Sequence, residues 1–120
     1  MSTRATYQIK SGFGTATLYI HHDGYFQGAA NYFRKTLDLM RTSERDLLPC
    51  FLWANERAEL TASHEIHGDT EYRYDLAKEE GEWMVTVYER RSFESDYFDK
   101  VRKTTLIQFV FEYAPTEESA

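Results

Sequence analysis

The residues of this sequence best suited to metal chemistry are its histidines, and all four lie in two short stretches. His21 and His22 precede Asp23 in "YIHHDGY", and His64 and His67 lie in "SHEIHGD". Imidazole nitrogens and carboxylate oxygens are ligands of Zn²⁺ and other transition metals. If folding joins the stretches, these five side chains can hold a metal and support metal-assisted hydrolysis. Because His-x-x-His in a loop is not diagnostic, a metal- or ligand-dependent enzyme is the alternative hypothesis.

The remaining candidates for catalysis have simpler structural explanations. Cys50 lies in an apolar run with Phe51 and Leu52, where a cysteine packs as a small hydrophobic residue. The sequence contains no G-x-S-x-G, P-loop or dinucleotide fingerprint. The leading interpretation therefore predicts no catalytic residue, no bound metal and no cofactor.

The "HHDG" stretch is first of all a turn between a strand and a helix. Gly24 can adopt a positive φ angle that other residues resist. The Asp23 carboxylate is expected to accept hydrogen bonds from the backbone N–H groups that follow it, as in an Asx turn. Gly28, early in the next helix, allows another backbone or ring to approach closely.

The stretch "YIHHDGYFQG" also resembles a signature of small, uncharacterised proteins that are frequent in phages and prophages. That signature reads Tyr-x-His-Trp-Asp-Gly-Tyr-Pro-x-Gly, and the matching positions here include His21, Asp23, Gly24, Tyr25 and Gly28. A histidine stands where the family commonly has Trp, and a phenylalanine where it has Pro. The resemblance implies a small α+β domain and a mobile-element origin, and it implies no particular chemistry.

Apolar patterns divide the rest of the chain into elements. Residues 4–21 and 70–91 each contain two alternating segments around a turn, which predicts two β-hairpins. Residues 26–41 carry an apolar stripe at three- and four-residue steps, which predicts a helix. A second helix is predicted at 47–57, with Ser43 or Asp46 as its cap.

Two further segments carry weaker signals. Residues 59–69 have little periodicity and are predicted to be a connecting loop. Residues 105–114 combine strand-forming residue types with a helical stripe, and the spacing of Thr105 and Gln108 suits a capping box. A helix is the preferred interpretation, and a strand is the alternative.

Together these elements predict one α+β domain over residues 1–120, with frayed ends at 1–3 and 115–120. The two hairpins are expected to form an antiparallel sheet packed by two or three helices. A chain of this length can bury one core without disulfides, and its single cysteine excludes an internal disulfide.

The charge and hydropathy of the chain constrain its partners. Twenty acidic and 14 basic residues give a net charge of −6, which argues against direct nucleic-acid binding. No run approaches the roughly 20 apolar residues that span a bilayer, and no signal peptide is visible. We therefore expect no membrane contact and a cytoplasmic location, in the host cytoplasm if a phage encodes the chain.

The sequence favours a non-enzymatic interaction protein. Trp53 lies opposite the predicted packing face of the second helix, so its indole either enters a second layer or meets a partner. The carboxylates of Glu44, Asp46, Glu56 and Glu59 can face a basic protein surface. The expected partner is a bacterial host protein, and inhibition of a defence protein, as by an anti-CRISPR, is one concrete form.

Overall fold

A computed structural model describes residues 3–12, 14–66, 68–92 and 97–114. The described residues form one α+β domain with a six-stranded sheet and three α-helices. In chain order, the elements are β1 (Ala5–Ser11), β2 (Gly14–Ile20), α1 (Phe26–Ser43), α2 (Leu47–Ala54), β3 (Glu59–Thr61), a 3₁₀ turn (His64–Ile66), β4 (Tyr72–Glu79), β5 (Glu82–Arg90), β6 (Phe98–Thr105) and α3 (Leu106–Tyr113).

The sheet is mixed, so the predicted purely antiparallel sheet is wrong. Its strand order is β3-β2-β1-β4-β5-β6. Both predicted hairpins are present, as β1–β2 and β4–β5, but they meet through their first strands, β1 and β4, which run parallel. These two strands carry fully buried core residues, Tyr7 and Ile9 on β1 and Tyr74 and Leu76 on β4. Shared burial therefore places them side by side at the centre.

The turn of the second hairpin follows from its sequence. Glu79 pairs with Glu82, which leaves a two-residue loop. Glu80 and Gly81 both have positive φ, 51° and 84°, as a type I′ turn requires. That turn matches the right-handed twist of the two strands and fixes their register.

The three helices cover one face of the sheet, and aromatic rings fill the space between the layers. The Tyr7 ring stacks on Tyr74 with centroids 5.0 Å apart. One phenylalanine from each helix packs against this pair: Phe33 from α1, Phe51 from α2 and Phe109 from α3. All five side chains are fully buried.

Three segments differ from their predictions. The helix predicted at 47–57 ends at Ala54, where the side chain of Asn55 donates a 2.8 Å hydrogen bond to the Phe51 carbonyl. The predicted loop at 59–69 contains the edge strand β3 and the 3₁₀ turn. Strand β6 was not predicted, and its charged, weakly alternating sequence explains why.

The ambiguous C-terminal segment contains both kinds of structure. Strand β6 ends at Thr105, and α3 begins at the next residue, so the preferred helix is confirmed for Leu106–Tyr113. The Thr105 hydroxyl accepts a 3.1 Å hydrogen bond from the Gln108 N–H, as the capping pattern predicts. Residues 1–2 and 115–120, predicted to fray, lie outside the described residues, and Thr3 accepts a hydrogen bond from Gly24.

Within the described ranges, no helix combines the length and the apolar character that crossing a bilayer requires.

Candidate functional site

The turn between β2 and α1 is held against the start of β1. The Gly24 N–H donates to the Thr3 carbonyl at 2.9 Å, and the Gly24 carbonyl accepts from the buried Tyr74 hydroxyl at 2.5 Å. A Cβ on Gly24 would lie 2.7 Å from the Cβ of Ala5. Glycine is therefore required at position 24 because any Cβ would clash with Ala5.

Two details of the predicted turn are wrong. The positive φ angle, 57°, belongs to Asp23, and Gly24 is not among the positive-φ residues. Asp23 also does not cap the helix. Tyr25 is the N-cap residue of α1, without a side-chain cap, and the Asp23 carboxylate contacts the hydroxyls of Tyr25 and Tyr32 at 3.3 and 3.5 Å. Aspartate tolerates the left-handed region better than most residues, so it can take the angle that glycine usually supplies.

The expected close approach at Gly28 is confirmed. A Cβ there would lie 2.1 Å from the backbone oxygen of Asp23. The loop between β2 and α1 therefore folds back onto the start of α1. Tyr25 lies at the surface, and the Tyr32 hydroxyl donates a 3.1 Å hydrogen bond to the His22 carbonyl.

A groove lies beside this turn, where the end of α2 passes Tyr32. Its volume is about 280 Å³. We call it the Trp53 groove, and it is lined by Ile20, Tyr32, Trp53, Ala54, Asn55, Glu56, Arg57 and Ala58. Aromatic and aliphatic side chains form its walls, and the two charged side chains that line it are the carboxylate of Glu56 and the guanidinium of Arg57. This mixture suits a side chain with an apolar body and a polar end.

Trp53 is 60% exposed on the outer face of α2. The helix buries Leu47, Cys50 and Phe51, and at 3.6 residues per turn the next two positions point away from that face. Leu52 is accordingly 43% exposed beside Trp53. The outer face of this short helix therefore presents two large apolar side chains to solvent.

The four predicted partner-binding carboxylates lie at three places in the fold. Glu44 ends α1 and Asp46 caps α2, accepting a 2.8 Å hydrogen bond from the Leu47 N–H. Glu56 lines the Trp53 groove. Glu59 lies on β3, where its carboxylate is 2.6 Å from the His21 Nε2, at hydrogen-bond distance, so its carboxylate is engaged.

Burial and the charge of Asp23 perturb the tyrosines under the turn. Burial, assisted by Asp23, raises the pKa of Tyr32 to about 12. Burial also raises the pKa of Tyr7 well above its ordinary value. The charge of Asp23 raises the pKa of the exposed Tyr25. These hydroxyls therefore stay protonated at neutral pH, and those of Tyr25 and Tyr32 donate hydrogen bonds to the Asp23 carboxylate.

His64 forms a buried hydrogen-bonded chain on the opposite face of the sheet. Its Nδ1 lies 2.5 Å from the Thr6 hydroxyl and its Nε2 2.7 Å from the Asp75 carboxylate. The order Asp–His–Thr resembles a nucleophile with its base, but Thr6 is fully buried. A nucleophile has to meet its substrate, so these hydrogen bonds are structural. They connect the 3₁₀ turn to β1 and β4.

The metal hypothesis finds no ligand set in the described part of the chain. There, no group of three or more histidine, cysteine, aspartate or glutamate side chains is placed to hold a metal ion. His21 pairs with Glu59, while His64 is occupied by Thr6 and Asp75. His22 and Asp23 lie at the turn, and His67 lies outside the described residues.

Tyr32 and Arg57 line the groove and Arg45 lies over the Trp53 ring, and the sequence predicted a role for none of the three. Tyr32 lies between the core stripe and the outer face of α1, so periodicity assigns it to neither. Arg57 follows the observed end of α2. Arg45, in the loop before α2, lies with its guanidinium carbon 5.5 Å from the centre of the Trp53 ring. Only the arrangement of α1 against α2 brings Tyr32 to the same groove as Trp53 and Arg57.

Comparisons of the chain with protein-family models, with curated proteins and with solved structures found no match.

Proposed function

We propose that this chain is a non-enzymatic interaction protein that binds a basic segment of a partner protein in the Trp53 groove. The observation that carries the proposal is the exposure of Trp53, 60%, at the edge of a preformed groove. Burying an indole contributes more to binding than burying most side chains, and tryptophan dominates many interfaces.

The charge of the surface selects the partner. Glu44 and Asp46 are exposed just before α2 and Glu56 is exposed in the groove, which Arg57 also lines, while Arg45 lies over the indole. The whole chain carries a net charge of −6. Charge of this sign accelerates association with a positively charged surface and disfavours acidic partners.

The biological setting of the proposal comes from the resemblance of the 19–28 stretch to phage and prophage proteins. A small acidic protein of that origin would act in the host cytoplasm on a bacterial protein. Inhibition of a defence protein, such as the nucleic-acid-binding component of a CRISPR system, fits because its substrate channel is basic. In this role the chain needs no cofactor and contacts neither membrane nor nucleic acid directly.

The test is affinity purification from a bacterial lysate, followed by a binding measurement with the purified, identified partner. Trp53→Ala should weaken that binding by about thirtyfold, equivalent to about 2 kcal/mol, and leave the melting temperature nearly unchanged. Phe111→Ala is the matched control, because Phe111 is an 83% exposed aromatic residue on a different helix.

Two results would count against this function. Equal affinity of the Trp53→Ala and Phe111→Ala variants would remove Trp53 as the anchor. An activity that disappears on substitution of His21, His22 or Asp23, with folding intact, would favour the enzyme alternative.

A further inference from the structure

The segment Glu59–Ile66, which we call the strap, crosses the edge of the sheet with little apolar contact. It contains β3 and the 3₁₀ turn, and His64 is its only buried residue. Its two large apolar side chains, Leu60 and Ile66, are 76% and 60% exposed. Because burial of apolar surface is the main force that holds a segment in a fold, the strap depends on hydrogen bonds instead.

The residues on either side of the strap are held more firmly. Asn55 is buried, and its side chain donates a hydrogen bond to the Phe51 carbonyl. Thr70 is fully buried, and its carbonyl accepts a 2.7 Å hydrogen bond from Nε of Arg90. A segment with few buried contacts between two firm ends can detach while the remainder stays folded.

The strongest side-chain attachment of the strap is His64. Its two ring nitrogens lie 2.5 Å from the Thr6 hydroxyl and 2.7 Å from the Asp75 carboxylate. Two other contacts, of Glu59 with His21 and of Glu65 with Arg73, involve carboxylates that are 59% and 73% exposed. Contacts between exposed groups contribute little, so His64 dominates.

The surface beneath the strap is polar, which makes detachment less costly. Thr6 and Thr17 are buried there, and Thr17 pairs with Thr61 of β3. The Asp75 carboxylate is only partly buried. Water can replace the hydrogen bonds of hydroxyls and carboxylates, whereas exposing an apolar core has no such compensation.

We infer that the strap detaches as a unit while the rest of the domain stays folded, and that the hydrogen bonds of His64 set how often it does so. In the open state, the edge of β2 at Thr17–Tyr19 loses its partner strand. An unpaired strand edge is a template for pairing with another chain. The inference is independent of the proposed function, because no residue that lines the Trp53 groove belongs to the strap.

Native-state amide hydrogen exchange of the whole chain, followed by NMR at increasing urea concentration, tests the inference. In the wild type, the amides that join β3 to β2 should exchange faster than those that join the central strands β1 and β4. Their rates should also depend less on urea, because opening the strap exposes less surface than global unfolding does. Equal rates and equal urea dependence for the two sets would overturn the inference, because the strap would then open only on global unfolding.

His64→Ala should raise the opening equilibrium of the strap by about thirty- to a hundredfold. If that variant does not fold, Thr6→Val removes one of the two hydrogen bonds and should raise it by about two- to tenfold. Exchange of the strap that is unchanged in the folded variant would overturn the role of His64.

Phe109→Leu is the matched control. Phe109 is fully buried on α3, which packs against β5 and β6 at the other end of the sheet from β3. This variant should accelerate exchange in β1 and β4 by about tenfold. It should leave exchange of the strap unchanged, because Phe109 stays buried whether the strap is closed or open. Equal acceleration of the strap and of the central strands by Phe109→Leu would also overturn the inference.

Discussion

Replacing Gly24 by alanine should destabilise the fold by steric conflict. The new Cβ would lie 2.7 Å from the Cβ of Ala5 and 3.0 Å from the Thr3 carbonyl oxygen. Carbon atoms in good contact are about 3.5–4.0 Å apart, so the overlap with Ala5 is about 1 Å. Ala5 belongs to the central strand β1 and is fully buried, so it cannot move aside cheaply.

The expected loss combines three contributions. Overpacking of a core costs about 1–3 kcal/mol. Displacement of the turn would weaken the hydrogen bonds of Gly24 with Thr3 and Tyr74, each contributing about 1 kcal/mol. The lower entropy of the unfolded chain returns about 0.4–1 kcal/mol. We expect the free energy of unfolding to fall by about 2–3 kcal/mol, which lowers the melting temperature by about 10 °C.

Urea denaturation followed by far-ultraviolet circular dichroism measures this loss. Gly12→Ala is the matched control, because no atom lies within 4 Å of a Cβ built there and its φ is not positive. That variant should stay within about 0.5 kcal/mol of the wild type. Similar stabilities for the Gly24→Ala and Gly12→Ala variants would refute the steric argument.

A third variant separates sterics from backbone conformation. If Gly24 were required for a left-handed angle, Gly24→Asn would be tolerated better than Gly24→Ala, since asparagine adopts that region more readily. If space is the reason, the larger asparagine should be the worse substitution.

The other two predictions concern the hydrogen-bonded histidine and the buried hydroxyls. His64→Ala should lower the free energy of unfolding by about 2–3 kcal/mol, because Thr6 loses a buried hydrogen bond and Asp75 a partly buried one. Replacement of the exposed His22 should cost less than about 0.5 kcal/mol. Equal urea midpoints for the two variants would show that the hydrogen bonds of His64 contribute nothing to stability. Burial raises the pKa values of Tyr19 and Tyr32 from 10.0 to about 12, so the folded state holds these protons more tightly than the unfolded state does. The free energy of unfolding should therefore be fully retained below pH 10 and fall as the pH rises towards 12. In urea titrations, Tyr32→Phe should reduce that fall. A urea midpoint that does not change over this pH range would contradict the prediction.

Local sequence determined the elements whose signals are complete within a few residues. The second hairpin follows from alternating apolar residues around Glu80 and Gly81, whose positive φ angles form a tight turn. Helix α1 follows from its apolar stripe, and the start of α3 from the Thr105 cap. Such signals are readable because the residues that interact are close together in the chain.

The tertiary structure decided how the elements meet. The parallel pairing of β1 with β4 joins residues about 67 positions apart, such as Ala5 and Tyr72. Nothing within either hairpin specifies which edge pairs with the other, because that choice depends on how the helices bury both strands together. Strands β3 and β6 also form only because β2 and β5 offer them open edges.

The roles of the candidate site residues depend on the same long-range contacts. The sequence identifies Gly24 as a necessary glycine, but its reason, contact with Ala5, requires β1 to lie beneath the turn. His64 carries no local sign that Thr6 and Asp75 will surround it. For Trp53, helical periodicity indicates a direction away from Phe51, whereas exposure of the indole depends on whether any other layer covers that face. No described element does so, and the indole remains 60% exposed.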